Sequence, residues 1–200
     1  SGKSKWITNE FSRNDVHRLR KKHRAIMVGI GTVLTDNPML NCRIENGRNP
    51  IRIVCDSKLR IPLDCNICKT ANEISTLVVS AIENPEKQSE LEKMGVKTLI
   101  LPDKNGKVDL KKLMQYLGEK SIDSVLIEGG GTLAYSALQS KIVSHIYSYI
   151  APKIFGGENA KTPVESVGVE TPDDCFKLKR TNVRELGSDI LIEYDVLEVQ

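Results

Sequence analysis

The chain has 200 residues, 40% of them hydrophobic and 28% charged, with a formal net charge of +3. That length sets one domain, residues 1–200, with room for a core that needs no staples. The mild charge, with one Trp, five Tyr and three Phe, argues against a dedicated nucleic-acid binder and fits a pocket for a small anion. No run of about 18 apolar residues is present to span a membrane, and no basic-then-apolar leader opens the chain. Five cysteines read most simply as those of a reduced, cytoplasmic protein.

In chain order, Trp6-Ile7-Thr8 reads as a strand, and Ser12 as the cap of a helix with Asp15 completing a capping box. That helix gathers Arg18, Arg20, Lys21 and Lys22 toward its end, where the helix dipole favours cations. Ala25–Ile30 reads as a strand, and the Asp36-Asn37-Pro38 run after it as a loop. Ile51–Cys55 and Thr76–Val79 read as strands, Asn84–Met94 as a helix and Lys97–Leu101 as another strand. Asp109 caps a helix through Leu110, Leu113, Met114 and Leu117. Ile142–Ile150 is a strand, and a longer loop region begins at Phe155-Gly156-Gly157. Phe176–Leu186 and Ile190–Val199 pair as a hairpin across Gly187-Ser188-Asp189. Alternating strands and helices predict an α/β fold: a mainly parallel central sheet flanked by helices, with a C-terminal antiparallel hairpin.

Between the last helix and strand lies Ser124–Gln139, SVLIEGGGTLAYSALQ, the most informative stretch of the chain. Val125-Leu126-Ile127 is a buried strand, Gly129-Gly130-Gly131 a sharp turn, and Leu133, Ala134, Ala137 and Leu138 recur at helical spacing. A helix opening from a glycine turn aims free N–H groups and partial positive charge at that turn, which makes a phosphate seat. The competing reading is a tight connection with no ligand. The run is neither G-x-G-x-x-G, since Ala134 replaces the third glycine, nor a P-loop. Glu128 stands at the strand's carboxyl end, where open α/β sheets hold ligands.

Other residues carry weaker signals. Arg13, Arg18, Arg20, Lys21, Lys22 and Arg24 read as a solvated helix face, as a phosphate contact centred on Arg20, or as a nucleic-acid patch. Arg43 is a second phosphate candidate. At Asp56-Ser57-Lys58, the hydroxyl with Lys58 and Arg60 favours a ribose 2′-phosphate, while Asp56 favours a free ribose. Cys65-Asn66-Ile67-Cys68 lacks the second pair a zinc site needs, and Pro62-Leu63-Asp64 reads as loop rather than the helix start of a redox motif. It therefore reads as two incidental cysteines, and no metal site is expected. His17, His23 and His145 are scattered and read as surface or packing residues.

Taken together, several blocks resemble a known family. They are Trp6-Ile7-Thr8, Arg20, Gly31-Thr32-Val33-Leu34-Thr35-Asp36-Asn37-Pro38-Met39-Leu40 with Arg43, Pro50 through Ser57, Glu128 through Leu133, and Tyr149 through Lys153. In this order they resemble the reductase domain of bacterial riboflavin biosynthesis deaminase/reductase. The resemblance covers nearly the whole chain. It implies a dihydrofolate-reductase-like fold, a homodimer, and NADPH as cofactor. It further implies reduction of the ribosyl group of 5-amino-6-(5-phosphoribosylamino)uracil to ribityl, by hydride transfer to C1′ of the opened sugar.

By the same resemblance, Trp6, Thr32, Asp36, Ser57 and Gly130, Gly131, Thr132, Leu133, Ala134, Tyr135 and Ser136 hold NADPH. Ser4, Arg20, Leu40, Arg43 and Glu128 hold the substrate. Asp36, Glu128 or a bound water handles protons during ring opening. The family's zinc deaminase domain is missing here, so a chain starting at Ser1 reads as an excised C-terminal domain, natively fused. The alternatives are a reductase of the same fold acting on a pterin or folate, and a non-catalytic nucleotide-binding domain.

Overall fold

A computed structural model of the chain describes residues 7–157, 160 and 162–197. Five strands form one parallel sheet in the order β4-β3-β2-β1-β5. They are β1 (Ala25–Gly29), β2 (Ile51–Cys55), β3 (Thr76–Ser80), β4 (Val96–Ile100) and β5 (Val125–Ile127). All four ladders between them are parallel. Both faces of this sheet are covered, which is why β1 and β5 read as apolar runs rather than alternating ones. On one face Ile26, Val28, Val54 and Val78 pack with Leu59, Ile61, Ile67 and Leu91. On the other, Met27, Ile53, Leu77 and Val79 pack with Leu110, Leu113, Leu117, Leu133 and Ala137.

The expected α/β architecture holds, with differences in detail. The first helix, α1 (Glu10–Lys22), is capped by Asn9 rather than Ser12: the Asn9 side chain accepts the Ser12 backbone N–H. Ser12 is instead buried and donates through Oγ to Asp189 Oδ2 at 2.7 Å. Ile7 and Thr8 form a bend, not a strand. The Gly31–Asp36 segment is helical: α2 runs from Ile30 to Asp36, directly after β1. Its C-cap, Asn37, adopts a left-handed φ of 41°, a conformation that Asn tolerates. Pro62-Leu63-Asp64 is loop as expected, but a four-residue helix, α3 (Asn66–Lys69), starts right after Cys65, so the cysteine pair does stand at a helix start. Helices α4 (Pro85–Lys93), α5 (Leu110–Glu119) and α6 (Gly131–Gln139) come next, with Asn84 and Asp109 capping α4 and α5 through their side chains.

The C-terminal strands form a second, antiparallel sheet of three, in the order β6-β8-β7: β6 (His145–Ile150), β7 (Leu178–Leu186) and β8 (Asp189–Val196). Helix α1 bridges the two sheets. At its start, Asn9 donates from its backbone to Asp189 Oδ2 at 2.7 Å and from Nδ2 to Leu186 O at 2.6 Å. Further along, buried Asp15 accepts from Tyr149 Oη at 2.8 Å. Among the described residues, no helix is long and apolar enough to cross a membrane.

Candidate functional site

The strands β2, β1 and β5 lie side by side and all end on one edge of the sheet. From β1 the chain builds outward through β2 to β4, then returns to place β5 on the other side of β1. That reversal is the switch point at which open α/β sheets leave a crevice. Helix α2 opens directly from β1, and α6 opens from the glycine turn after β5.

Gly129 and Gly130 have φ of 98° and 85°, a conformation that side chains resist. They also lie against α2. A Cβ on Gly129 would stand 3.3 Å from Thr32 Oγ1, and one on Gly130 would stand 3.6 Å from the same atom. Gly131 has a different reason to be small. A Cβ there would come 2.6 Å from Glu165 Cγ and 2.9 Å from Glu165 N, because the chain near residue 165 crosses the first turn of α6. A cavity of about 380 Å³ opens beside this crossing, lined in part by Tyr135, Glu165, Gly168 and Phe176. Within α6, Leu133 is in the core, and buried Tyr135 donates to Gly168 O at 2.6 Å. Thr132 stays exposed, Ala134 is half-buried, and half-buried Ser136 donates to Thr132 O.

Next to the glycine turn lies a charged cluster. Glu128 sits directly after β5, and its backbone N–H bonds Met27 O on β1 at 2.9 Å. Arg20, near the end of α1, meets it in a two-pronged pair: Nε to Oε1 at 2.8 Å and Nη2 to Oε2 at 2.6 Å. Both side chains are mostly shielded, at 14% and 19% exposure. Such a pair is stronger and more directional than a single contact. The remaining arm of Arg20, Nη1, donates to Asn41 O at 2.8 Å and so holds the loop that carries Arg43. Arg43 is exposed, with its Nε donating to Asn41 Oδ1 at 3.2 Å.

His17 belongs to this cluster, although by sequence alone it reads as a surface or packing residue. Its Nδ1 accepts the Arg43 backbone N–H at 3.3 Å, so the neutral ring carries its proton on Nε2. Burial, then the Arg20 and Arg43 charges, push its pKa below the usual histidine value. The signal that could have found it is its spacing: His17 and Arg20 are three apart on one helix and share a face.

The other expected residues take varied places. Asp36 ends α2, exposed, and no hydrogen bond or ion pair among the described residues engages its carboxylate. Leu40 has a left-handed φ of 48° and a side chain buried in the core, so it offers a ligand only backbone. Ser57 comes just after the end of β2 and accepts the Val108 N–H on Oγ. Asp56 points inward and is fully buried. Its Oδ2 accepts from Ile61 N at 2.7 Å, and burial pushes its carboxyl above the usual range. No Asp56 carboxylate therefore faces a ribose at this strand end. Ser4 and Trp6 lie outside the described residues. Among those described, no group of three or more His, Cys, Asp or Glu side chains could hold a metal ion.

A shielded arginine–carboxylate cluster beside a glycine turn, at the carboxyl ends of parallel strands, makes this a candidate anion site of an α/β domain. The chain belongs to the RibD C-terminal domain family, whose profile matches residues 1–192. It is 47% identical over 197 residues to the riboflavin biosynthesis protein RibD of Actinobacillus pleuropneumoniae, covering 98% of this chain and 52% of that protein. It is 36% identical to the 2,5-diamino-6-ribosylamino-4(3H)-pyrimidinone 5′-phosphate reductase of Methanothermobacter thermautotrophicus, covering 96% of this chain and 89% of that one. The solved structure of Acinetobacter baumannii RibD, form 1, shares the fold with a TM-score of 0.83 at 31% identity, covering 99% of this chain and 53% of the other. The chain thus spans about half the length of the RibD proteins it matches.

Proposed function

We propose that this domain reduces the ribosyl side chain of a 5-phosphoribosylaminopyrimidine, 5-amino-6-(5-phosphoribosylamino)uracil, to the ribityl form, using NADPH. The observation that carries this reading is the adjacency of two anion-binding features: the Arg20–Glu128 cluster with Arg43, and the Gly129–Gly130 turn packed on Thr32. One suits the substrate phosphate, the other a dinucleotide pyrophosphate. The names of the relatives point the same way.

The residues fit the cofactor. Gly129 and Gly130 leave the backbone open for close approach, Thr32 stands beside them, and Ser57 follows the neighbouring strand. With Asp56 turned inward, Ser57, Lys58 and Arg60 suit the 2′-phosphate of NADPH rather than a bare ribose. Arg60 lies 3.9 Å from Asp56 Oδ1 and keeps 56% of its side chain exposed. When bound, the nicotinamide supplies the hydride; the protein supplies position and charge. Arg20 and Arg43 anchor the substrate phosphate and so fix the sugar. Glu128, both oxygens of which accept from Arg20, holds that arginine in place. Asp36 keeps an unengaged carboxylate and takes the proton-handling role during ring opening.

The outer face of the antiparallel sheet supports a second copy of this chain as partner. Its register pairs Ile150 with Ile190 and Val183 with Ile192. Ile150, Val183 and Ile190 are 47%, 49% and 41% exposed, an apolar face suited to a homodimer. A fused deaminase domain is the further partner, on the analogy of relatives matched over only half their length. Sedimentation of the purified chain tests the dimer; a strictly monomeric species removes it.

One assay tests the whole reading. Protein, NADPH and the phosphoribosylaminouracil are mixed and the nicotinamide absorbance is monitored. Consumption that requires the substrate phosphate supports the proposal. Turnover on a pterin or folate alone would overturn it, as would tight NADPH binding with no turnover on any ribosylaminopyrimidine.

A further inference from the structure

Arg52 is the one cation among the described residues that is fully buried. Its guanidinium donates to Thr76 Oγ1, Thr70 Oγ1, Ile67 O, Ile74 O and Met39 O, at 2.7–3.3 Å. Every one of these acceptors is neutral, and no carboxylate pairs with it among the described residues. An arginine keeps its proton, so a buried one needs a compensating negative charge. Two of its acceptors, Ile67 and Thr70, flank the same short turn as Cys65 and Cys68. Those two thiols are the leading neighbours that offset the effect of burial on Arg52.

Cys65 and Cys68 are buried and fall on one helical turn, closed by Lys69 N to Cys65 O at 3.0 Å. A turn keeps Cα atoms three residues apart under about 7 Å, and disulfides join Cα atoms roughly 4.4–6.8 Å apart. The neighbouring Cys68 thiol draws the Cys65 pKa down, although burial opposes this. The same contact and burial push Cys68 upward. The two thiols are thus pulled in opposite directions by their mutual contact, next to the turn that Arg52 bonds. By contrast Cys55, which has no such partner, is pushed up to about 12 by burial.

We propose that Cys65 and Cys68 are a redox couple, reduced in the turn that bonds the buried Arg52 and oxidised to a disulfide that rearranges that turn. In the oxidation the Cys65 thiolate attacks one sulfur of an oxidised low-molecular-weight disulfide and expels the first thiolate. Cys68 then gives up its proton and attacks the Cys65 sulfur, expelling the second. The pair loses two electrons, and the small disulfide is reduced to two thiols. Both sulfurs are buried, so the reaction waits on opening of this turn, and equilibrium rather than rate is the quantity to read.

The couple lies next to the candidate site. Asn66, between the cysteines, donates from its backbone to Asn37 Oδ1 and from Nδ2 to Asn37 O, both at 2.7 Å. Asn37 caps α2, the helix of Thr32 and Asp36. Arg52 holds Met39 O in the same loop. Oxidation therefore loosens the cofactor side of the cleft. That last consequence rests on the proposed NADPH-dependent reaction; the disulfide does not.

The test equilibrates the purified chain in buffers of graded oxidised to reduced glutathione. Peptide masses, the thermal midpoint and KM for NADPH are then read. The expected result is a Cys65–Cys68 peptide lighter by two hydrogen atoms, a shifted midpoint, and KM raised at least about fivefold, on the usual scale of coupled sites. Dithiothreitol reverses all three, and Cys68→Ser shows none of them. A disulfide with a shifted midpoint in a protein that never turns over NADPH keeps the couple and sinks the reductase reading. A pair that stays reduced in the most oxidising buffer overturns the couple. So does a disulfide whose midpoint and KM match those of the reduced protein.

Discussion

The two halves of the candidate cleft are built on opposite plans. In the charged half the side chains hold one another: Arg20 commits all three arms to Glu128 and Asn41, and Arg43 is tied to His17 and Asn41. The glycine half is defined by what it omits, with two left-handed glycines and a threonine hydroxyl beside them. A preorganised charge cluster loses little on binding an anion, because its reorganisation cost is already met in folding. A bare backbone turn offers amides to any phosphate that reaches it, but specificity must come from residues further along, in the proposed reading those after β2.

Substitutions should therefore separate the halves. Arg20→Ala has the largest expected effect. It removes charge-assisted bonds of about 1.5–3 kcal/mol in total, so KM for the phosphoribosyl substrate rises roughly 10- to 100-fold. Steady-state kinetics should show KM for NADPH nearly unmoved, and unchanged substrate kinetics would take Arg20 out of the site. Gly130→Ala does the reverse. A side chain at φ of 85° costs about 1–2 kcal/mol, which weakens NADPH roughly tenfold by fluorescence titration while substrate affinity holds.

Ser57→Ala is milder. Loss of one hydroxyl contact, about 0.5–1 kcal/mol, should narrow the preference for NADPH over NADH roughly threefold; an unaltered ratio would move the 2′-phosphate elsewhere. The smallest effect is one of pH. His17 binds its proton less readily in the folded chain than in the unfolded one. The unfolded chain therefore takes up the extra proton, and stability falls as pH drops through the ordinary value of 6.5. His17→Asn, which keeps an acceptor for Arg43 N, should flatten that part of a thermal-midpoint profile. An identical slope in wild type and variant would show that His17 is not the group responsible.

The parallel sheet was legible because its central strands are covered on both faces and so carry continuous apolar runs, as in Ala25–Val28 of β1. Helix α2 was not. Gly31, Thr32, Val33 and Thr35 are weak helix formers, and burial of Ile30 and Val33 overrides that local preference. The cap of α1 was misplaced because Ser12 and Asp15 imitate a capping box, while their true partners, Asp189 and Tyr149, lie more than a hundred residues away. The site showed the same division. Arg20 and Glu128 were visible singly by residue type and position, but their pairing, 108 residues apart in sequence, was not. The inward turn of Asp56 could not be read either, because the Ile61 amide that draws it in is set by the loop's path.

Helix α1 is pinned at both ends, by Asn9 to the turn of the last hairpin and by Arg20 to the end of β5. About eleven residues of helix span roughly 16 Å, and each added residue rotates every later side chain by about 100°. The helix therefore acts as a ruler of fixed length and phase. A single inserted alanine, harmless to helicity, would swing the guanidinium off the carboxylate while the anchor at the other end stayed where it is.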